Sequence, residues 1–259
     1  MKENSKVKYE LGKEMFLQGK TITQISKELH ISNSRFSKYL QDNNIQTNTY
    51  HKVSVNDNIF EVINTEEKAY WLGFMYADGY VSSNRNTIGI CLQPSDITHL
   101  EKFKIFLQWQ GNVRLEKTRC RLEFRSTKVK NDLIQHGCTP NKSLTLTFPN
   151  IQKQLIPSFI RGYFDGDGCL CYTEKTLEVS MIGAYEFLEV LCEIINIDKK
   201  RIYDLNKNKR SSRIVLSSKH DIEYFLNYIY TDANIYLDRK YNKYQNLKIA
   251  VFDRNIEDN

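Results

Sequence analysis

Two short segments of this 259-residue chain, WLGFMYADG at residues 71–79 and IRGYFDGDG at residues 160–168, each end in aspartate followed by glycine. The final acids are Asp78 and Asp167, 89 residues apart. Each segment reads as the end of a helix, and a carboxylate there opposes the helix macrodipole. If the two ends meet, the carboxylates also repel one another, so neither acid helps folding unless a cation intervenes. Hard carboxylate oxygens at a shared site suit Mg²⁺.

The elements that must position these acids are legible in the residues just before them. Gly73 and Ala77 in the first segment, and Gly162 and Gly166 in the second, are spaced four apart and fall on one helix face. Small residues there let two helix backbones approach closely, which brings Asp78 and Asp167 together. Gly79 and Gly168 are expected as left-handed C-caps. The segments downstream of each helix are duplicated too. TIGICLQ, HLEKFKIFLQ, NVRLEK, RCRLEFRS, KVKNDLIQHG and TPNKSL in the first half match LEVSMIG, AYEFLEVLCEI, RIYDLNK, SSRIVLSS, HDIEYFLNYIY and YLDRKYNKY in the second. The expectation is an α+β fold of two αββαββα repeats, about 63–145 and 155–245, within a domain spanning 63–250 and related by a pseudo-two-fold axis.

WLGFMYADG and IRGYFDGDG resemble the two defining motifs of the LAGLIDADG homing endonucleases, in motif spacing and repeat order alike. The departures are Tyr76 where the second copy keeps Asp165, and the aromatic residues Trp71, Phe74, Tyr163 and Phe164. The family's catalytic position is the last acid of each motif, which is intact in both copies, and Asp165 is expected to be structural. The resemblance implies a monomer whose antiparallel sheets form a saddle over duplex DNA. It implies Mg²⁺, with Mn²⁺ as a substitute, held by Asp78 and Asp167 with Gly79 and Gly168, and cleavage of one strand per acid. It also implies a long, partly asymmetric target. Lys142, in CTPNKSLTLTFP, and Lys240, in YLDRKYNKY, take the place of the family's basic residues near the scissile phosphates, with Arg239 as a rival for the second. Expected, too, is a free-standing protein rather than an intein, encoded in an intron, a phage or between genes.

Strand alternation supports the saddle from the residues themselves. In RCRLEFR, Cys120, Leu122 and Phe124 face one way and Arg119, Arg121, Glu123 and Arg125 the other. Arg114 on the neighbouring strand joins that basic row, and Lys207, Lys209 and Arg213 are its expected counterparts in the second half. Residues 63–158 hold 13 basic and 8 acidic residues, most of the chain's excess of +6. Such a row suits phosphates and base edges.

Ahead of the repeats, residues 1–46 read as three helical segments with a helix-turn-helix pattern in GKTITQISKELHISNSRFSKYL. Thr21 and Gln24 form a capping box, Phe36 and Leu40 point inward, and Asn33, Ser34, Arg35 and Lys38 line the outer, DNA-facing side of the last helix. Residues 47–62 read as a linker. The six cysteines contain no C-x-x-C pair and read as reduced packing residues. There is no H-E-x-x-H, nucleophile elbow or P-loop, so those enzyme classes are excluded. No apolar run approaches the ~20 residues that span a bilayer, and without a secretory leader the cytoplasm or an organelle matrix is the expected location. The competing function is a non-cleaving binder on the same fold, an RNA splicing maturase or a transcription regulator, in which loss of a motif acid is the usual sign.

Overall fold

The computed structural model describes residues 2–18, 20–45, 54–142, 145–205 and 211–252. They fall into two compact units, residues 1–53 and 54–259.

The smaller unit contains three helices, α1 (Lys2–Leu17), α2 (Ile22–Leu29) and α3 (Asn33–Asp42). The Thr21 side chain accepts from the Gln24 backbone, and the Gln24 side chain accepts from the Thr21 backbone in return. His30 ends α2 in the left-handed region, at φ 51°. This lets the chain reverse into α3 after a short turn. Met15, Ile25, Phe36 and Leu40 make the core, with Tyr9, Ile22 and Leu29 packed around it. Asn33, Ser34, Arg35 and Lys38 are exposed.

The larger unit is a duplicated α+β structure. Its first repeat runs α4 (Glu66–Ala77), β1 (Gly79–Val81), β2 (Thr87–Leu92), α5 (Ile97–Phe106), β3 (Arg114–Leu115), β4 (Cys120–Arg125) and α6 (Thr127–Gln135). The second runs α7 (Ile156–Asp167), β5 (Gly168–Tyr172), β6 (Leu177–Gly183), α8 (Tyr185–Ile194), β7 (Ile202–Asp204), β8 (Ser212–Leu216) and α9 (Lys219–Tyr230), with α10 (Asp238–Leu247) appended. The two antiparallel sheets have matching orders, β1-β2-β4-β3 and β5-β6-β8-β7. Matching caps mark the repeat as well. Ser126 accepts from Val129 N at the start of α6, and Ser218 accepts from Asp221 N at the start of α9.

Inner-face residues pack each sheet onto the helices: Ile88, Ile90, Leu122 and Phe124 in the first, Val179, Met181, Ile214 and Leu216 in the second. Between the sheets lie α4 and α7. Residues Ala69–Tyr76 and Ser158–Asp165 are buried without a break, so both helices are enclosed on every side.

Three sequence expectations need correction. Residues 54–62 are not linker: Ile59 and Phe60 are buried in the core, and Asp57 Oδ1 accepts from Ser126 Oγ at 2.5 Å. The apolar pair lies within an otherwise polar stretch, which hides it; residues 46–53 lie outside the described set. Secondly, Gly79 and Gly168 are not left-handed caps. Gly168 is extended at φ −82°, and Gly137 is the one glycine of positive φ among the described residues. They are glycines for want of room. A Cβ at Gly79 would lie 2.6 Å from the Met75 side chain, and one at Gly168 would lie 2.5 Å from Phe164 O. Lastly, only Cys120, Cys138 and Cys192 are buried packing residues; Cys91, Cys169 and Cys171 lie on outer sheet faces.

The close approach of α4 and α7 depends on four small residues. A Cβ on Gly73 would fall 2.0 Å from Phe159 O, and one on Gly162 would fall 1.9 Å from Tyr70 O. These are equivalent contacts, each glycine accommodating a carbonyl one turn along the partner helix. Farther along, a Cβ on Gly166 would lie 2.3 Å from the Ala77 Cβ. In an exposed helix interior, glycine to alanine stabilises by up to about 1 kcal/mol. Here the sign reverses, because the clash is with backbone: Gly73→Ala and Gly162→Ala are each expected to cost about 3 kcal/mol or more, read as a lowered urea midpoint.

Candidate nucleic-acid cleavage site

The helix pair delivers both acids to one place. Asp78 comes directly after α4, its N–H still bonded to Phe74 O at 3.0 Å, and Asp167 is the last residue of α7. The Oδ2 of Asp78 lies 3.2 Å from where a Cβ on Gly166 would stand, so the first carboxylate rests against the partner helix beside Asp167. Burial, then the charge of Asp167, raises the pKa of Asp78 to about 6, against the pull of Lys240, Arg239 and Lys142. Burial likewise raises that of Asp167, opposed by Lys142 and Lys240. The Asp167 side chain keeps an open face to solvent.

Two lysines complete the arrangement symmetrically. Lys142 Nζ donates to Ala77 O at 3.4 Å and to Gly79 O at 2.5 Å. Lys240 Nζ donates to the matching pair, Gly166 O at 3.2 Å and Gly168 O, and also to Phe164 O at 2.6 Å. Both lysines are buried, at 7% and 6% exposure, and each ammonium satisfies carbonyls left open at a helix C-terminus. Burial lowers the pKa of Lys240 to about 8. The family resemblance implies both lysines near the scissile phosphates; that they cap the helices carrying the acids is visible only in the fold.

This setting fits a divalent cation at the two carboxylates: paired, partly buried oxygens whose charge nearby lysines only partly offset. The carbonyls of Gly79 and Gly168, expected as further ligands, face the lysine ammoniums instead. Among the described residues no cluster of three or more His, Cys, Asp or Glu could form an all-protein cage.

Asp165, the extra acid of the second motif, has a separate role. It is fully buried and accepts from Tyr70 Oη at 2.8 Å, Tyr230 Oη at 2.6 Å and Leu237 N at 2.7 Å. Tyr70 belongs to the other repeat, so this carboxylate ties the halves together below the site. His99 Nε2, 3.0 Å from Tyr70 Oη, extends the network; burial lowers its pKa to about 3 and keeps it neutral. Tyr76, in the position equivalent to Asp165, donates to His136 O within its own repeat.

The outer face of the first sheet carries the expected arginines. Arg114 pairs across the ladder with Arg121, and Arg119, Arg121 and Arg125 share that side with Glu123. Glu116 bonds Arg119 Nε at 2.7 Å, and Tyr80 Oη donates to Glu123 at 2.5 Å, so part of the row is held by acids. The second sheet differs. Arg213 is on its outer face but donates to Glu178 at 2.5 Å and to Ser180 Oγ at 2.9 Å. Around it lie Cys169, Cys171, Ile182 and Tyr203. Lys207 and Lys209 lie outside the described residues.

No known family model matches this chain, and no curated protein does. Several solved structures match it. The I-SmaMI LAGLIDADG homing endonuclease bound to cleaved DNA is 14% identical over 75% of this chain and 91% of its own, with a TM-score of 0.49. I-GzeII in complex with its DNA target is 14% identical over 65% and 84%, at 0.45, and I-CpaMI bound to uncleaved DNA is 14% identical over 72% and 90%, at 0.46. At these identities and superposition scores the likenesses carry no inference about activity.

The electrostatics of Asp78 give a testable sign. Its folded pKa is above the unfolded value of 3.8, so its ionisation destabilises the metal-free fold above about pH 6, and this cost vanishes below about pH 4. In EDTA at pH 7.5, Asp78→Asn is expected to raise unfolding stability by about 1 kcal/mol after discounting for solvent screening. The gain should disappear when the urea titration is repeated at pH 4.

Proposed function

We propose that the chain is a site-specific, divalent-metal-dependent endonuclease of the LAGLIDADG homing type, acting on double-stranded DNA as a monomer. One observation carries this reading: two helix-terminal carboxylates, one per repeat, placed side by side with a buried lysine beside each helix end. Structural chemistry alone disfavours that placement, and binding a cation against a phosphate makes use of it.

On this reading Asp78 and Asp167 hold Mg²⁺, or Mn²⁺, each acting at one strand. The bound metal supplies neutralisation of charge on the phosphoryl and leaving oxygens and acidifies an attacking water. Lys142 and Lys240 place positive charge beside the scissile phosphates, and their carbonyl bonds keep them from swinging away. Arg114, Arg119, Arg121, Arg125 and Arg213 track the duplex from the sheet faces, and Lys207 and Lys209 extend that surface. Gly73, Ala77, Gly162 and Gly166 set the distance between the acids. The three-helix unit adds a second DNA contact through Asn33, Ser34, Arg35 and Lys38, raising local concentration on the target. The fold has two intact acids where a non-cleaving binder needs none, and nothing in the site favours that alternative.

Strand-resolved cleavage on end-labelled duplex tests the reading. Asp78→Asn and Asp167→Asn should each abolish cutting of one strand, a different one in each variant, and leave binding within about threefold of the parent. Loss of binding in parallel with cleavage would instead mean that the acids are structural. In EDTA, log affinity should fall linearly with log salt, with a slope of about −0.9 for each phosphate neutralised.

A further inference from the structure

The strand registers match the outer faces of the two sheets residue by residue. Gly79 opposes Ile90 where β1 starts, and Gly168 opposes Met181 where β5 starts, so Ile90 and Met181 are equivalent. Leu122 and Ile214, which oppose those two in turn, are equivalent as well. One step along, the outer row of the first sheet is Cys91, Arg121 and Arg114. The matching row of the second sheet is Ile182, Arg213 and Tyr203. The next outer row shows the same divergence, with Tyr80, Gly89 and Glu123 in one sheet and Cys169, Ser180 and Val215 in the other.

These rows offer opposite chemistry. Arg114 stands directly across from Arg121, a like-charge pair that costs stability unless an anion lies over it. In the second sheet Ile182 is 46% and Tyr203 55% exposed, two large side chains left uncovered in one row. Arg213 between them turns away, because its Nη2 reaches along β6 to Glu178 and Ser180, four and two residues before Ile182. What this row presents outward is therefore apolar, with its one cation already paired. The duplication places both rows where a single ligand lying across the sheets meets each in the same way, and the arginine row fits a polyanion. On a DNA duplex the apolar group exposed at the base edges of the major groove is the thymine C5 methyl.

We propose that the second sheet reads its half of the target through thymine methyl groups, met by Ile182 and Tyr203, so that the two halves of the site are recognised by different chemistry. The proposal rests on the duplex-DNA reading above and deepens it by naming the base that one sheet selects.

The test needs no cleavage. The full-length protein, in EDTA, selects its preferred duplex from a randomised library, and that duplex is remade with deoxyuridine for thymidine in one half at a time. This exchange removes the methyl and keeps every hydrogen-bonding group of the base pair. In one half each contacted methyl lost should weaken binding about fourfold, while the same exchange in the other half stays within twofold. Ile182→Ser and Tyr203→Ser, both at exposed positions, should weaken binding to the thymine duplex and remove the uracil penalty at the pairs they face. Equal binding of the thymine and uracil duplexes by the parent overturns the proposal, and does so without reference to the folding of any variant. A penalty that persists unchanged in both serine variants overturns it too, since the methyls are then read elsewhere. Cutting of the selected duplex with Mg²⁺ is scored separately. If no ends form, the endonuclease reading fails, while the uracil comparison still decides whether the sheet reads methyls.

Discussion

The contact on which the rest of this structure depends is backbone against backbone: α4 and α7 meet through Gly73 and Gly162, each facing a carbonyl of the other helix at a distance no side chain tolerates. Aromatic residues around the pair, among them Trp71, Phe74, Tyr163 and Phe164, fill the space that the glycines leave open on other faces. Because the two helices run to their C-termini together, closeness at the glycines becomes closeness at Asp78 and Asp167. Packing that is favourable along the helix thus forces an electrostatic conflict at its end. The conflict is localised, with lysine ammoniums on the helix-end carbonyls and both carboxyls shifted upward. Local frustration of this kind, sustained by a rigid surround, is what a preorganised charge site requires.

The duplication explains why the site is nearly symmetric, and the deviations show where symmetry ends. Sheet order, the serine caps of α6 and α9 and the lysine bonds to the paired carbonyls at each helix end repeat. Asp165 and Tyr76 occupy one motif position yet serve different ends, the first bonding across to Tyr70 and the second staying within its repeat. The outer sheet faces also diverge, with arginines held by glutamates on one and a more neutral surface around Arg213 on the other. A duplicated chain that has drifted in this way presents different chemistry to the two ends of any ligand lying across it.

Much of this was legible in the residues. The small-residue spacing, the paired acids and the duplicated order of elements are patterns of type and period, which sequence displays directly. The capping box at Thr21 was equally plain. The features that escaped depend on contacts between distant segments. Strands β1 and β5 are counted in the expected αββαββα order, but their own residues did not mark them, because they come after their helices without a loop and are too short to show a period. Gly79 and Gly168 looked like left-handed caps because sequence reports the absence of a side chain and not the reason for it; the reason is Met75 in one case and Phe164 in the other. Arg213 read as a free cation because Glu178 lies on another strand. The bond from Asp96 to Arg239 joins residues in different repeats, and no local pattern announces it.

That this helix pair holds a cleavage centre for both strands of a duplex is tested most directly by sequencing new DNA ends. The purified protein is incubated, with Mg²⁺ or with EDTA, with a DNA library that includes the uninterrupted form of its genomic insertion site. Paired ends on both strands at one long sequence are expected, present with Mg²⁺ and absent with EDTA. Salt-sensitive binding to that DNA with no new ends under any divalent metal would contradict the cleavage centre.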